Sequence, residues 1–249
     1  MTKRFFICVA LLCLGAATIS AQIIKQQDLE KYAKQRYGDS WLDAAANLAG
    51  SLTFDKNESL TYQQVIPAPG KSKTKLYVLI NYWATATFKD KQAITLNDKE
   101  AGTIIISSML PAIADHTGTL NRYVVNITPV IKIDIKDERL RVTYTVQNYD
   151  VLKAEAAGWL GGAFDNTRHN NSNSNVMGDG KRMEGDKTDR RLFDEQWEIA
   201  KHYPFAKKDS QKRTCAKALV MTHAYSNVVL DKIEEAVRNG LVGNDDDDW

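Results

Sequence analysis

A chain of 249 residues that is 43% hydrophobic and 9% aromatic has the apolar material for a packed core, which excludes wholesale disorder. Its 33 Lys+Arg stand against 31 Asp+Glu, and residues 1–21 hold Lys3, Arg4 and no acid, so the remainder carries bases and acids in equal number. That balance argues against a dedicated nucleic-acid binder, which needs a basic excess to hold phosphates.

Residues 1–21 read as a signal peptide. Lys3 and Arg4 form a basic start, Phe5 to Leu14 an apolar run, and small residues follow up to Ala21; this is the layout of a secretory leader. The expectation is export to the periplasm or the medium. Ile7 and Leu12 precede Cys8 and Cys13, where a lipid-anchored protein would carry a small residue, so soluble export is expected rather than a lipid anchor. No later run reaches the roughly 20 apolar residues of a spanning helix, so no transmembrane anchor is expected once the leader is removed. Cleavage leaves Cys215 alone, so no intrachain disulfide can form. A thiol on an apolar helical face is expected to be buried filler.

Residues 22–57 form an N-terminal helical segment. Leu29, Tyr32, Ala33 and Arg36-Tyr37 recur at helical spacing, Gly38-Asp39-Ser40 interrupts, and the alanine-rich stretch Trp41–Leu48 makes a second helix with Ser40 or Asp39 as its N-cap. A core domain is expected over 58–152. Leu60, Tyr62, Gln64 and Ile66 alternate with their neighbours as a strand, and Pro67-Ala68-Pro69-Gly70 ends it. Ser72 then caps a helix to about Phe88, whose Leu76, Leu79/Ile80, Trp83 and Thr87/Phe88 make one apolar stripe; Lys89-Asp90-Lys91 closes it. Ala93–Leu96 is a short strand, Asn97–Glu100 a turn, and Ala101–Ser107 the next strand.

Asn121–Ile135 and Arg139–Tyr149 read as a long hairpin about a turn at Lys136-Asp137-Glu138. Ile131, Ile133 and Ile135 on one arm, and Leu140, Val142, Tyr144 and Val146 on the other, alternate with polar residues, the period of strands buried on one face. Pro129 inside the first arm marks a bulge or an edge. Residues 153–211 are a polar, flexible insertion with little periodicity, its tail Leu192–Ala200 a short helix. Residues 212–243 hold a C-terminal helix that packs on the core, with Leu219, Val229/Leu230, Ile233, Val237 and Leu241 on one side. Residues 244–249 are an acidic tail.

The stretches Val65-Ile66-Pro67-Ala68-Pro69-Gly70-Lys71-Ser72 leading to Leu76-Tyr77, then Trp83 and Phe88, then Asn97-Asp98-Lys99-Glu100-Ala101-Gly102-Thr103-Ile104-Ile105 resemble a bacterial family of exported proteins, number 4468 in the unknown-function series, with a TATA-binding-protein-like (TBP-like) fold. The resemblance covers under half of the chain. It implies an α+β fold, strand–helix–four antiparallel strands–helix, with a curved sheet and helices packed on one face. It also implies export in Gram-negative anaerobes, and it brings no catalytic residues. Physically, Gly102 would supply a positive φ or a bulge where the strand begins.

Catalytic signatures are scarce. Ser72-Lys73-Thr74-Lys75 fits the Ser-x-x-Lys of acyl-serine enzymes, but the companion Ser-Asp-Asn and Lys-Thr-Gly motifs are absent and Ser72 is explained as a cap. Neither a Gly-x-Ser-x-Gly elbow nor a His-Glu-x-x-His zinc motif occurs. His116, His169, His202 and His223 are widely separated, with Asp115-His116 a pair in a loop. The oxygen-rich Asp165, Asn173, Asn175 and Asp179 lack the order of a calcium loop. No catalytic, cofactor-binding or metal residue is therefore assigned. The expected function is a non-enzymatic binding or interaction module whose partner is an envelope protein or a small ligand, not nucleic acid. The alternative is a hydrolase with an unrecognised site. The surface expected to bind is the outward face of the long hairpin: Lys132, Asp134, Arg141, Thr143, Thr145 and Gln147.

Overall fold

The computed structural model describes residues 23–88, 92–117, 121–156, 190–202 and 209–240. Two helices, α1 (Gln26–Tyr37) and α2 (Trp41–Ala49), precede strand β1 (Leu60–Pro67) and helix α3 (Lys73–Phe88). Seven strands follow in succession: β2 (Ile94–Asp98), β3 (Thr103–Ser107), β4 (Leu110–Thr117), β5 (Asn121–Ile127), β6 (Val130–Lys136), β7 (Arg139–Val146) and β8 (Asn148–Ala156). Strand β9 (Arg190–Glu198), the short helix α4 (Ile199–His202) and the long helix α5 (Asp209–Asn239) complete the order. The expected leader, the Lys89–Lys91 stop, the Asp165–Asp179 oxygen cluster, His169 and the acidic tail lie outside the described residues.

The strands make two antiparallel sheets, one in the order β1-β7-β6-β3-β2 and one in the order β4-β5-β8-β9. The long hairpin read from the sequence is one paired ribbon that passes from one sheet into the other. Its arms pair from Lys136↔Arg139 to Val130↔Thr145 in the first sheet and from Ile127↔Tyr149 to Asn121↔Glu155 in the second. Between these blocks Thr128 and Pro129 stand against Val146, Gln147 and Asn148, two residues against three. That is a bulge, placed where Pro129 has no N–H to give to a ladder. Neither arm is therefore a single strand, as the long alternating hairpin had suggested, and the bulge expected at Pro129 is where both arms change sheet.

Two further expectations are corrected. Asp115-His116 lies in β4, paired with β5 as Asp115↔Val124 and His116↔Tyr123, rather than in a loop. Leu192–Glu198 belongs to β9, which pairs with β8 from Asn148↔Glu198 to Ala156↔Arg190, and only Ile199–His202 is helical.

Local chemistry sets the junctions. The Ser40 hydroxyl accepts the Asp43 N–H at 3.4 Å and starts α2, and Ser72 accepts the Lys75 N–H at 3.3 Å to start α3. A second acceptor serves the same helix end: Asp137, in the two-residue turn between β6 and β7, takes the Lys73 N–H at 2.7 Å, a carboxylate at the positive end of a helix dipole. The Glu138 N–H donates to the Lys71 carbonyl (2.9 Å), and the Glu138 carbonyl accepts the Ala68 N–H (2.8 Å). These bonds lock the β6–β7 turn to the loop before α3.

Gly102 turns the chain into β3 with φ +71°. A Cβ there would meet the Ile135 carbonyl oxygen at 2.8 Å and Lys73 Cε at 2.4 Å. The glycine therefore satisfies both a left-handed backbone and a close approach to β6.

Ile131, Ile133, Ile135, Leu140, Val142 and Tyr144 point inward from the first sheet, and Tyr123, Val125, Ile127, Tyr149 and Trp197 from the second, all buried. The α3 stripe of Leu76, Leu79, Ile80, Trp83, Ala84 and Phe88 covers part of this surface. The α5 helix is buried nearly all round between Thr214 and Leu230, with only Lys217, His223 and Asn227 half-exposed. A helix apolar on every side must be enclosed: α5 packs against β4 and β5 on one flank and against α1 and α2 on the other. Burying each of its large apolar side chains contributes about 1.5–3 kcal/mol. The layers are thus sheets, then α3 and α5, then α1 and α2.

Candidate functional site

The outer face of the five-stranded sheet, opposite these helices, brings together the polar residues singled out from the hairpin. Cross-strand partners point to the same side of a sheet, and the rows run Lys136–Arg139, Asp134–Arg141, Lys132–Thr143 and Val130–Thr145. On β1 they continue as Pro67, Val65, Gln63 and Thr61, and on β3 as Thr103, Ile105 and Ser107. Lys132, Asp134, Arg141, Thr143 and Thr145 therefore share one face. Gln147 lies at the bulge between β7 and β8, exposed and outside both ladders.

Asp134 organises the middle of this face. Its carboxylate accepts Arg141 at 2.7 Å, Lys132 at 3.1 Å and the Thr103 hydroxyl at 3.1 Å. Partial burial works to raise its pKa, and the Arg141, Lys132 and Thr103 donors outweigh it and hold the group below the ordinary aspartate value. The network spans β3, β6 and β7, so Arg141 and Lys132 are held by the sheet rather than left free.

Lys136 and Arg139 differ. They stand directly opposite one another beside the turn, both exposed, and neither has an acidic partner among the described residues. With Val65, Asp134, Leu140 and Arg141 they line a shallow depression of about 210 Å³. Apolar side chains on the same face, Val65 (56% exposed) and Val130 (41%), give it a mixed basic and apolar character.

Other chemistry-bearing groups lie apart from this face. Cys215 is buried on α5, and burial pushes its thiol up to about 12, so it is not a thiolate near neutrality. His223 sits between the rings of Tyr37 and Tyr62, with centroids 5.4 and 5.2 Å away. Burial lowers its pKa, with the Arg36 charge acting in the same sense. Lys217 on α5 binds Glu30 of α1 at 3.2 Å and Asp115 of β4 at 3.0 Å, an ion network that ties layers together. The Ser72 hydroxyl is engaged as the α3 cap. Among the described residues no group of three or more His, Cys, Asp or Glu is placed to hold a metal ion. Among them also no helix is long and apolar enough to cross a membrane.

Sequence reasoning missed a cavity of about 410 Å³ between α3 and α5, walled by Tyr82, Trp83, Ala86, Lys232, Glu235 and Asn239. Tyr82, one residue off the apolar stripe and 57% exposed, was its one available signal. It also missed a depression of about 230 Å³ on the outer face of the second sheet, bordered by Asp150, Asp194 and Gln196. Of the strands that form it, β9 and the part of β8 beyond Tyr149 were not foreseen.

Among solved structures the chain is similar to a TBP-like protein from Parabacteroides distasonis, at 16% identity and TM-score 0.43, over 74% of this chain and 96% of that one. It is also similar to a DUF4468 family protein from Bacteroides ovatus, at 12% identity and TM-score 0.45, over 82% of this chain and 94% of the other. No curated protein matches. The family model that matches is the domain of unknown function (DUF4468) with TBP-like fold, over residues 62–150. The fold is α+β and TBP-like, and over residues 62–150 the chain matches the unknown-function family that its Val65–Ser72 and Asn97–Ile105 stretches resemble.

Proposed function

We propose that the chain is an exported, non-enzymatic module of the periplasm or medium that binds another macromolecule through the outer face of its five-stranded sheet. The observation that carries this reading is the pairing of exposed Val65 and Val130 with the fixed Asp134–Arg141–Lys132 network on one face. Each of these residues stands on a strand whose reverse side is buried, so little ordering cost remains for binding. Export is supported by Lys3-Arg4, the apolar run after them and the small residues up to Ala21.

A photo-crosslinking residue placed at Thr143, with a matched one at Arg122 on the second sheet, tests the surface in the producing cell. The expected result is a discrete adduct from Thr143 that Lys132→Glu/Arg141→Glu abolishes. Equal labelling from both positions would overturn the assignment of the face. N-terminal sequencing of the secreted or periplasmic form tests export, with a start near Gln22 expected. A chain retained in the cytoplasm with Met1 intact would overturn it.

A further inference from the structure

The cross-strand row Lys136–Arg139 sets two like charges opposite each other, a pairing that costs stability in an antiparallel sheet. The neighbouring carboxylates are engaged elsewhere: Asp134 with Arg141 and Lys132, Asp137 with the Lys73 N–H, and Glu138 with the Gly70 N–H at 3.2 Å. Lys136 and Arg139 thus form a corner of unrelieved positive charge, beside Arg141 and the exposed side chain of Val65. From these observations we propose that this corner receives the carboxylates of an acidic polypeptide segment, whose apolar side chains lie on Val65 and toward Val130. This rests on the binding role of the outer face and names the chemistry of its partner.

Three features select a polypeptide. The depression, about 210 Å³, is smaller than the roughly 300–1,000 Å³ of sites that enclose a free small molecule, so the anionic group is presented on something larger. Asp134 sits in the middle of the patch and occupies Arg141 and Lys132, so the face lacks the run of free bases that a uniform polyanion such as nucleic acid needs for its consecutive phosphates. Thr61, Gln63, Thr143 and Thr145 extend the face with neutral hydrogen-bonding groups beside exposed Val65 and Val130, a surface suited to a chain that mixes carboxylates with apolar and amide groups.

The test uses a fluorescein-labelled peptide alternating glutamate with valine and threonine, read by fluorescence anisotropy at low and high salt. Heparin and phosphatidylglycerol vesicles serve as competing polyanions. The intact protein is expected to bind the peptide, and Lys136→Glu/Arg139→Glu is expected to weaken binding at least about tenfold with a flatter salt dependence. Arg122→Glu, on the second sheet, should leave it unchanged. A second readout does not depend on the ligand: the single change Lys136→Glu converts the like pair to an opposite pair and should raise the Tm. Absence of peptide binding by the intact protein, equal loss in the Arg122 variant, or tighter binding of heparin or vesicles than of peptide overturns the proposal. So does salt-sensitive self-association that the double reversal abolishes, since it assigns the corner to a second copy. If the Thr143 crosslink survives Lys136→Glu/Arg139→Glu, the acidic-partner inference fails while the outer face stands as the binding surface. Loss of the crosslink at Lys132→Glu/Arg141→Glu in a protein that binds no acidic peptide separates the two in the same way.

Discussion

Gly102→Ala should be among the most damaging single-methyl additions in the chain. Two independent terms meet at this position. An L-residue held at φ +71° pays about 1–2 kcal/mol for the left-handed backbone. The new Cβ would also stand 2.8 Å from the Ile135 carbonyl oxygen and 2.4 Å from Lys73 Cε. The lysine tip can swing aside, at the loss of its 2.6 Å bond to the Glu100 carbonyl. The Ile135 oxygen cannot move without pulling β6, because the Ile135 N–H donates to the Gly102 carbonyl at 2.7 Å, and a weakened hydrogen bond of this kind costs about 0.5–1.5 kcal/mol. The expected total is about 2–4 kcal/mol, read from urea unfolding at constant m, with roughly 2–4 °C of Tm lost per kcal/mol. Gly70 supplies the control, since it has φ +74° and nothing within 4 Å of a built Cβ. Gly70→Ala should cost only the backbone term, about 1–2 kcal/mol. In a Lys73→Ala background the Gly102→Ala penalty should shrink and stay above that of Gly70→Ala. A Gly102→Ala variant no less stable than Gly70→Ala would refute the close-approach argument.

Three more outcomes are expected. The depressed pKa of Asp134 means that its network contributes fully above the ordinary aspartate value of about 3.9 and fades as pH falls through the lower folded-state value; Asp134→Asn should flatten the acid limb of stability against pH, and an unchanged slope would count against the network. Cys215, buried with its thiol pushed up to about 12, should resist iodoacetamide in the native protein and react on unfolding, as read by mass spectrometry of its peptide; rapid native labelling would contradict its placement. The Tyr144 hydroxyl is buried without a hydrogen-bond partner among the described residues, so Tyr144→Phe should be neutral or stabilise by about 1 kcal/mol, and a loss of that size in urea unfolding would reveal a partner.

What the sequence made legible follows from the range of the interactions involved. The α1–α2 break at Gly38–Ser40, the start of α3 at Ser72 and the φ of Gly102 are settled within a few residues, and all three appear where the local chemistry puts them. The period-two pattern of β6 and β7 fixes which side chains face inward, so the outward set from Lys132 to Thr145 was readable before any coordinates. The change of sheet at Thr128–Pro129 and Gln147 was not, since alternation reports which face is buried and not which neighbours do the burying. β4 and β9 were missed for a related reason. β4 carries Pro111 and a positive φ at Ala112, β9 carries Arg190, Arg191, Asp194, Glu195 and Glu198, and both are strands because β5 and β8 present them with partners. Lys136 and Arg139 had a sequence signal, like charges flanking a two-residue turn, that becomes informative only once their acidic neighbours are seen to be occupied.

The enclosed helix α5 also bears on the order in which the molecule can become itself. The helices α1, α2 and α3 and the strands β1, β4 and β5 all lean on a rod encoded by residues 209–239, so a nascent polypeptide that has emerged only as far as β9 owns two half-covered ribbons and lacks the piece that these six elements close around. Such a chain keeps apolar sheet surface uncovered until its last long segment arrives, which places the closing of the core at the end of synthesis.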